Sequence, residues 1–177
     1  MKSRVITGKL KGRVLQLPPA EAARPTRNRI LQAAFNMLHG FTSFEGARVL
    51  EACCGSGAWG IEAYSRGAAE VVLLDIAPKT AQANITALGI APHVQAIASD
   101  AARYRPAAPF DIILADPPYA NTALIEAILA NAPTWGKSGS LWVLETASTS
   151  TPNWPAGFTV QQTRTYGASA IHIAVWK

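Results

Sequence analysis

Short apolar segments alternate with helical segments through most of this chain, and this alternation constrains the fold more than any other feature. The predicted strands are 48–52, 71–74, 94–98, 111–115 and 141–144, and the predicted helices between them are 58–66, 78–88 and 123–131. Repeated strand–helix units with short connections require a mostly parallel sheet that is covered by helices on both faces. The sequence therefore predicts an α/β fold.

The two ends of the chain depart from this pattern. Segments 5–8 and 13–17 flank a turn-prone stretch and predict an N-terminal β-hairpin. Segments 158–163 and 169–176 also read as strands, and only residues 164–167 separate them. Two strands joined so closely must be antiparallel.

One domain accounts for the length of 177 residues. Apolar residues recur every three or four positions from Ile30 to Leu38, with Thr26 as the predicted N-cap, and this spacing predicts an amphipathic helix ahead of the first strand of the sheet. The Ser-, Thr- and Pro-rich stretch 146–155 is expected to be a surface loop.

Charge is concentrated at the N-terminus. Residues 1–29 hold eight basic residues and one acid, Glu21, whereas the rest of the chain has a net charge of −2. A basic arm on a nearly neutral body indicates contact with a polyanion such as nucleic acid.

The cysteines and the apolar segments of the sequence indicate in which cellular compartment the protein is found. Cys53 and Cys54 are adjacent, which suits neither a disulfide framework nor a zinc site. The first residues lack the apolar core of a signal peptide, and no apolar run is long enough to span a bilayer. We expect a cytoplasmic protein that binds no metal and no membrane.

A glycine-rich loop follows the strand 48–52. Gly55, Gly57 and Gly60 form the pattern G-x-G-x-x-G ahead of a helix, and Asp75 lies at the end of the next strand. Such glycines let the backbone approach a ligand, and a carboxylate in the position of Asp75 can accept hydrogen bonds from both hydroxyls of a ribose. Dinucleotides and S-adenosylmethionine both fit this pattern.

The third strand–helix unit ends at Asp100. Its carboxylate could accept a hydrogen bond from an adenine amino group, and the backbone N–H of Ala101 could reach a ring nitrogen. The alternative is that Asp100 caps a short helix over 101–104.

Asp116-Pro117-Pro118-Tyr119, directly after the strand 111–115, is the motif that separates the two cofactor classes. The Asp116 carboxylate and the Pro117 carbonyl can together accept both hydrogens of an exocyclic amine. Tyr119 offers an aromatic ring on which a flipped base can stack, a role that needs the ring and not the hydroxyl.

These residues resemble the S-adenosylmethionine-dependent methyltransferases that act on an exocyclic nitrogen. Segments 8–13 and 24–26 and the pair Phe35-Asn36 are similar to the bacterial family that methylates guanine N2 in small-subunit (16S) rRNA. The resemblance implies a seven-stranded Rossmann-like methyltransferase sheet, mostly parallel with an antiparallel C-terminal strand. It also implies a basic hairpin arm over 1–24 and a methyltransferase domain over 25–177.

The resemblance also assigns roles to residues. The expected cofactor contacts are Glu51, Gly55, Ser56, Gly57, Asp75, Asp100 and Ala101, and the expected catalytic residues are Asp116, Pro117, Pro118 and Tyr119. The expected RNA contacts are Lys9, Lys11, Arg13, Arg24 and Thr26, the last two in an Arg-Pro-Thr segment near the active site. The chain departs from the family at Asn28 and Gln32, where acids are usual, at Cys53-Cys54 for Phe-Ala, and at Asp75 for a frequent Glu.

Three other functions remain open on the sequence. A DNA adenine-N6 or cytosine-N4 methyltransferase would use a similar Pro-Pro-aromatic motif, but such enzymes usually carry a target-recognition segment. An NAD(P)-dependent oxidoreductase would use the glycine loop but leaves Tyr119 and the basic arm without a role. A non-enzymatic RNA-binding module would leave the carboxylates unexplained. The expected partner is small-subunit rRNA, free or within a ribosomal particle, bound by a monomer.

Overall fold

The computed structural model describes residues 3–18 and 27–177, without the side chain of Arg27. Its strands are β1 (Ser3–Arg4), β2 (Val14–Leu15), β3 (Arg48–Ala52), β4 (Glu70–Asp75), β5 (Val94–Ala98), β6 (Phe110–Ala115), β7 (Gly136–Ala147), β8 (Phe158–Tyr166) and β9 (Ser169–Trp176). Its helices are α1 (Arg27–Leu38), α2 (Ala58–Ser65), α3 (Lys79–Leu88), α4 (Thr122–Ala130) and α5 (Ala132–Trp135).

Seven strands form the main sheet in the order β5-β4-β3-β6-β7-β9-β8. All neighbouring strands from β5 to β7 are parallel, and β9 is antiparallel to both β7 and β8. The predicted α/β fold, with its mostly parallel sheet and antiparallel C-terminal strand, is confirmed.

Apolar residues cover both faces of the sheet. One core lies under α1, α2 and α3, and the other lies under α4 and α5. Trp135 and Trp142 stack in the second core with ring centroids 6.1 Å apart. Within the described part of the chain, no helix is long and apolar enough to cross a membrane.

The N-terminal hairpin is confirmed, but its strands are shorter than predicted. Pairing joins Ser3 to Leu15 and Arg4 to Val14, and segment 5–8 is not a strand. Val5 still bonds across the hairpin, because its N–H donates to the Arg13 carbonyl (3.0 Å). The next residues bond to α2 instead, since both carboxylate oxygens of Glu62 accept from the N–H groups of Ile6 (2.7 Å) and Thr7 (3.1 Å).

Two details of the C-terminal part differ from the sequence prediction, and one strand pairing is irregular. The turn expected at 164–167 is wrong, because β8 continues to Tyr166 and a two-residue connection with Gly167 at φ 60° precedes β9. Strand β7 extends well beyond 141–144 at both ends, so residues 146 and 147 belong to it and not to the loop. The pairing of β6 with β7 is also irregular, shifting between Phe110 and Ile112.

Candidate active site

Four neighbouring strands bring polar residues to one level at the carboxyl edge of the sheet. The last residues of β4, β3, β6 and β7 that pair with one another lie side by side in the sheet. The next residue of each strand is, in the same order, Asp75, Cys53, Asp116 and Glu145. Adjacent strands lie about 4.8 Å apart, so the backbones of Asp75 and Asp116 are about 10 Å apart with Cys53 between them. Such a separation leaves room for a ligand between the two carboxylates.

The glycine-rich loop fits closely between β3 and α2. Gly57 has φ 76°, and a Cβ there would lie 2.5 Å from Cδ1 of Leu73. A Cβ on Gly60 would lie 2.4 Å from Cδ2 of the same side chain. Both glycines are therefore required for α2 to pack against β4.

Glu51 is buried beneath this loop, with 2% of its surface exposed. Its Oε2 accepts a hydrogen bond of 2.8 Å from the N–H of Gly60, in the first turn of α2. A carboxylate at a helix N-terminus is favourable because the helix dipole is positive there. In this structure Glu51 holds the start of α2, and its cofactor contact stays a prediction.

Asp75 fixes the other side of the loop. Its Oδ2 accepts from the N–H of Gly55 and its Oδ1 accepts from the N–H of Ala77, each at 2.9 Å. The carboxylate therefore stands at the end of β4 beside the glycine loop, as the sequence pattern requires. Ribose binding by Asp75 is not tested by this geometry.

Asp100 is exposed at the end of the next unit. Its Oδ1 accepts from the N–H of Ala102 at 2.8 Å, and its backbone oxygen accepts from the N–H of Tyr104 at 3.0 Å. Asp100 thus caps a turn over 101–103 and not the short helix over 101–104 that was the alternative, since no helix forms there. The adenine contacts of Asp100 and Ala101 stay predictions.

Cys53 lies among the carboxylates, with its backbone at φ 59°. Burial, and after it the negative charges of four side chains, raise the pKa of its thiol to about 12. In decreasing order of effect, those side chains are Asp75, Asp116, Glu51 and Asp100. The predicted carboxylates therefore converge on one region, and its field favours a cationic ligand over an anionic one.

The motif after β6 turns the chain into α4. Pro117 is buried and Pro118 is exposed. The carbonyl of Pro118 accepts from the N–H of Asn121 at 3.0 Å, and the Asn121 side chain caps α4 through the N–H of Leu124 at 3.0 Å. The C-terminal end of the motif is thus held in place at the start of α4.

Tyr119 is held from its hydroxyl end. The hydroxyl contacts a carboxylate oxygen of Glu145 on β7 and lies 2.6 Å from Oγ of Ser169 at the start of β9. Burial, followed by the hydrogen bond to Glu145, raises the pKa of Tyr119 above its ordinary value. The hydroxyl consequently has a structural role that the sequence argument did not foresee.

Glu145 and Ser169 are site residues that sequence reasoning missed. Glu145 directly follows the predicted strand 141–144, as Asp116 follows 111–115, so the rule that found Asp116 applies equally to Glu145. Ser169 gave no comparable signal, because its position depends on how β9 pairs.

The basic residues of the hairpin lie away from this edge of the sheet. The Lys9 backbone N–H donates to the Ser65 carbonyl at the C-terminal end of α2 (2.9 Å), and its Nζ lies 3.4 Å from the centre of the Tyr64 ring. The eight residues of α2 span about 12 Å, so Lys9 is about that far from the start of the helix at the glycine loop.

The other residues predicted to contact RNA are Lys11, Arg13, Arg24 and Thr26. Lys11 is exposed, and the Arg13 guanidinium donates to the Ala87 carbonyl at 3.3 Å. Arg24 and Thr26 lie outside the described residues. The structure therefore does not bring Lys9, Lys11 or Arg13 together with Asp116.

No cluster of three or more His, Cys, Asp or Glu side chains suited to a metal ion occurs in residues 3–18 and 27–177.

Two residues of α1 depart from the family pattern in the sequence. Asn28 accepts a hydrogen bond of 2.9 Å from Ser3 Oγ, and Gln32 is exposed.

The sheet order and the loops at its carboxyl edge define a Rossmann-like methyltransferase. The chain belongs to the family described as Conserved hypothetical protein 95, whose model matches residues 3–175. It is 34% identical over 148 residues to Ribosomal RNA small subunit methyltransferase D of Buchnera aphidicola from Acyrthosiphon pisum, covering 80% of this chain and 76% of that protein. It is 29% identical over 176 residues to the protein of the same name in Escherichia coli K12, covering 96% and 88%.

A solved structure gives the same picture. The methyltransferase candidate yhhF of Escherichia coli superposes with a TM-score of 0.85 at 26% identity, over 100% of this chain and 99% of that chain. These similarities confirm the resemblance to small-subunit rRNA methyltransferases that the motifs predicted.

Proposed function

We propose that this protein transfers a methyl group from S-adenosylmethionine to the exocyclic N2 of a guanine in small-subunit rRNA. The names of its relatives support rRNA methylation. The choice of guanine N2 rests on the resemblance of segments 8–13 and 24–26 and of Phe35-Asn36 to the guanine-N2 family.

The carboxyl edge of the sheet suits this cofactor. When bound, S-adenosylmethionine supplies an electrophilic methyl group on a positively charged sulfur. Asp75 and the loop 55–57 would hold its ribose and amino-acid parts, and Asp100 with Ala101 its adenine. The negative field around Cys53 attracts a cation and opposes the anionic pyrophosphate of a dinucleotide.

Asp116, Pro117 and Tyr119 would position the target base. The Asp116 carboxylate and the Pro117 carbonyl accept the two hydrogens of the guanine amine, which is a weak nucleophile because its lone pair is delocalised into the ring. Holding this nitrogen in line with the transferable methyl group supplies most of the catalysis. The Tyr119 ring, anchored by Glu145 and Ser169, provides the stacking surface.

No strong base is needed for this reaction. After methyl transfer the nitrogen is cationic and acidic, and it loses its proton to Asp116 or to water. Asp116 thus accepts a hydrogen bond before methyl transfer and is one of the two acceptors for the proton afterwards.

The observation that carries the proposal is the shared level of Asp75 and Asp116 on either side of Cys53. To test it, rRNA from cells lacking the protein is incubated with the purified protein and S-adenosylmethionine, and the nucleosides are analysed by mass spectrometry. We expect N2-methylguanosine. A methyl group on another atom would change the proposed target, and no methylation of free rRNA or of ribosomal particles would refute the function.

The basic hairpin is proposed to bind rRNA phosphates. Changing Lys9, Lys11 and Arg13 together to Ala should reduce the slope of log affinity against log salt by about two units, because each phosphate contact contributes about 0.7–0.9. Affinity is measured by filter binding over a range of salt, with the cofactor affinity as control. An unchanged slope would mean that the hairpin does not touch RNA.

A further inference from the structure

A groove of about 440 Å³ separates helix α1 from the edge strand β8. Asn36 and Phe41 line it from the helix side, and Gln162, Arg164 and Tyr166 line it from the strand. We call it the α1–β8 groove. The amide oxygen of Gln162, in its hydrogen-bonded orientation, accepts from two guanidinium nitrogens of Arg164 at 2.9 Å. This contact orients the guanidinium along the strand.

Both walls of the α1–β8 groove come from segments without acidic residues. The sequence contains no Asp or Glu at 22–44 or at 146–177. The pocket on the other side of α1, by contrast, is lined by Glu45, and the pocket at the start of β7 is lined by Asp111. The groove thus has a positive charge at Arg164 that no carboxylate in its lining offsets.

The groove leads to the candidate active site. At the C-terminal end of β8, Tyr166 is paired with Ser169, whose Oγ lies 2.6 Å from the hydroxyl of Tyr119. At the opposite end of the groove lies Phe41, whose surface is 41% exposed. Aromatic rings therefore stand at both ends of the groove, with Arg164 and the amides of Asn36 and Gln162 between them.

We propose that the α1–β8 groove binds the unpaired RNA nucleotides that flank the target guanine, an inference that rests on the proposed function. Single-stranded RNA is bound by aromatic rings that stack on bases, by cations that contact phosphates and by amides that bond to base edges. All three are present here. A base stacked on Tyr119 has been pulled out of its helix, and the groove holds the strand that remains connected to it.

Charge reversal at Arg164 tests the proposal. We expect Arg164→Glu to raise KM for rRNA by about tenfold or more, because one phosphate contact is lost and a repulsion is added. Lys177→Glu is the matched control, since it makes the same charge change just after the end of β9, outside the groove, and should alter KM by less than about threefold. Asn36→Asp adds a negative charge from the helix wall and should also raise KM.

The other readouts separate binding from chemistry. At saturating rRNA, the single-turnover rate of Arg164→Glu should stay within about twofold of wild type, and its affinity for S-adenosylmethionine should be unchanged. Arg164→Ala should also reduce the salt slope of RNA binding by about 0.7.

The outcomes distinguish this proposal from the one on which it rests. If the wild-type protein methylates rRNA while Arg164→Glu and Asn36→Asp keep the wild-type KM, the groove does not bind RNA and the proposed function stands. If both variants instead lower the saturating rate with KM unchanged, the groove acts on the active site and not on binding, which also overturns the inference. If the wild-type protein methylates no RNA, the proposed function fails and the groove proposal fails with it.

Discussion

The inner and outer halves of the sheet differ sharply in charge. The inner strands β4, β3 and β6 carry Asp75 and Asp116 at one edge, above the buried Glu51. Beyond Glu145 on β7, the rest of the chain has no acid, and Arg164 lines the α1–β8 groove. One half thus suits a cationic cofactor and the other an anionic polymer.

The proposed function requires one small domain to hold ligands of opposite charge, and this difference in charge would allow it. A negative cofactor site repels the phosphates of RNA, so the RNA must bind on surfaces away from it. Tyr119 connects the two halves, because it follows Asp116 in sequence and bonds through its hydroxyl to the outer strands at Glu145 and Ser169. The ring that we propose to stack on the target base therefore lies where the two kinds of surface meet.

The largest effect is expected at Asp116. Asp116→Ala should lower the single-turnover methylation rate by about 10²–10⁴, because it removes the group that orients the amine and takes its proton. Cofactor affinity should change much less, since most of those contacts lie elsewhere.

The matched control for Asp116→Ala is Asp111→Ala. Asp111 lies near the other end of β6, where it pairs with Lys137 at 2.6 Å. This control should keep nearly the wild-type rate. A correctly folded Asp116→Ala protein with wild-type rate would remove the motif from the active site.

A smaller effect is expected for Asp75, on binding and not on rate. Asp75→Ala should weaken S-adenosylmethionine binding by roughly 1.5–3 kcal/mol, the value of a hydrogen bond to a charged group. Calorimetry measures this, with NAD as a ligand that should not bind. Unchanged affinity would show that the ribose assignment is wrong.

The inner half of the molecule could be predicted well from sequence because its signals are local. Strands β3 and β5 have the predicted bounds, and the glycine loop and Asp116 stand where the strand ends require. Parallel strands separated by helices each bury a continuous apolar run, so each run is visible on its own.

The outer half was predicted less well because its contacts are not local. The end of β8 at Tyr166 and the anchoring of Tyr119 by Ser169 both depend on the pairing of β9 with two strands. No pattern in the sequence around Ser169 indicates its partner. Glu145 could have been found, since it ends an apolar strand next to β6.

The Tyr119 hydroxyl tests whether the two halves are coupled. Tyr119→Phe leaves the ring but leaves the Glu145 carboxylate, which is only 5% exposed, without this hydrogen bond. We expect a loss of about 1–3 kcal/mol in unfolding free energy and a severalfold rise in KM for rRNA with a smaller change in the saturating rate. Urea unfolding and steady-state kinetics measure the two effects.

Glu145→Gln is the companion variant for the same contact. An amide oxygen can still accept from the Tyr119 hydroxyl, so KM of Glu145→Gln for rRNA should stay close to the wild-type value. If Tyr119→Phe has wild-type stability and kinetics, the ring acts alone and the hydroxyl contacts do not position it.

The smallest expected effect concerns His172, on the opposite face of the outer half from α1. Its Nε2 lies 3.0 Å from Thr146 Oγ1 and its Nδ1 lies 3.0 Å from Thr163 Oγ1. Burial lowers its pKa below the ordinary value of 6.5. Below that pH the unfolded chain binds a proton that the folded chain does not, so stability is complete above about pH 6.5 and falls as the pH drops.

Thermal unfolding at pH 7.5 and 5.5 measures this loss. In His172→Gln the loss should shrink, because the amide can bond to a threonine but takes up no proton in this range. His39→Gln, at an exposed histidine just after α1, should keep the wild-type pH dependence. If His172→Gln also keeps it, the acid sensitivity arises elsewhere, and His172 does not set the lower pH limit of the fold.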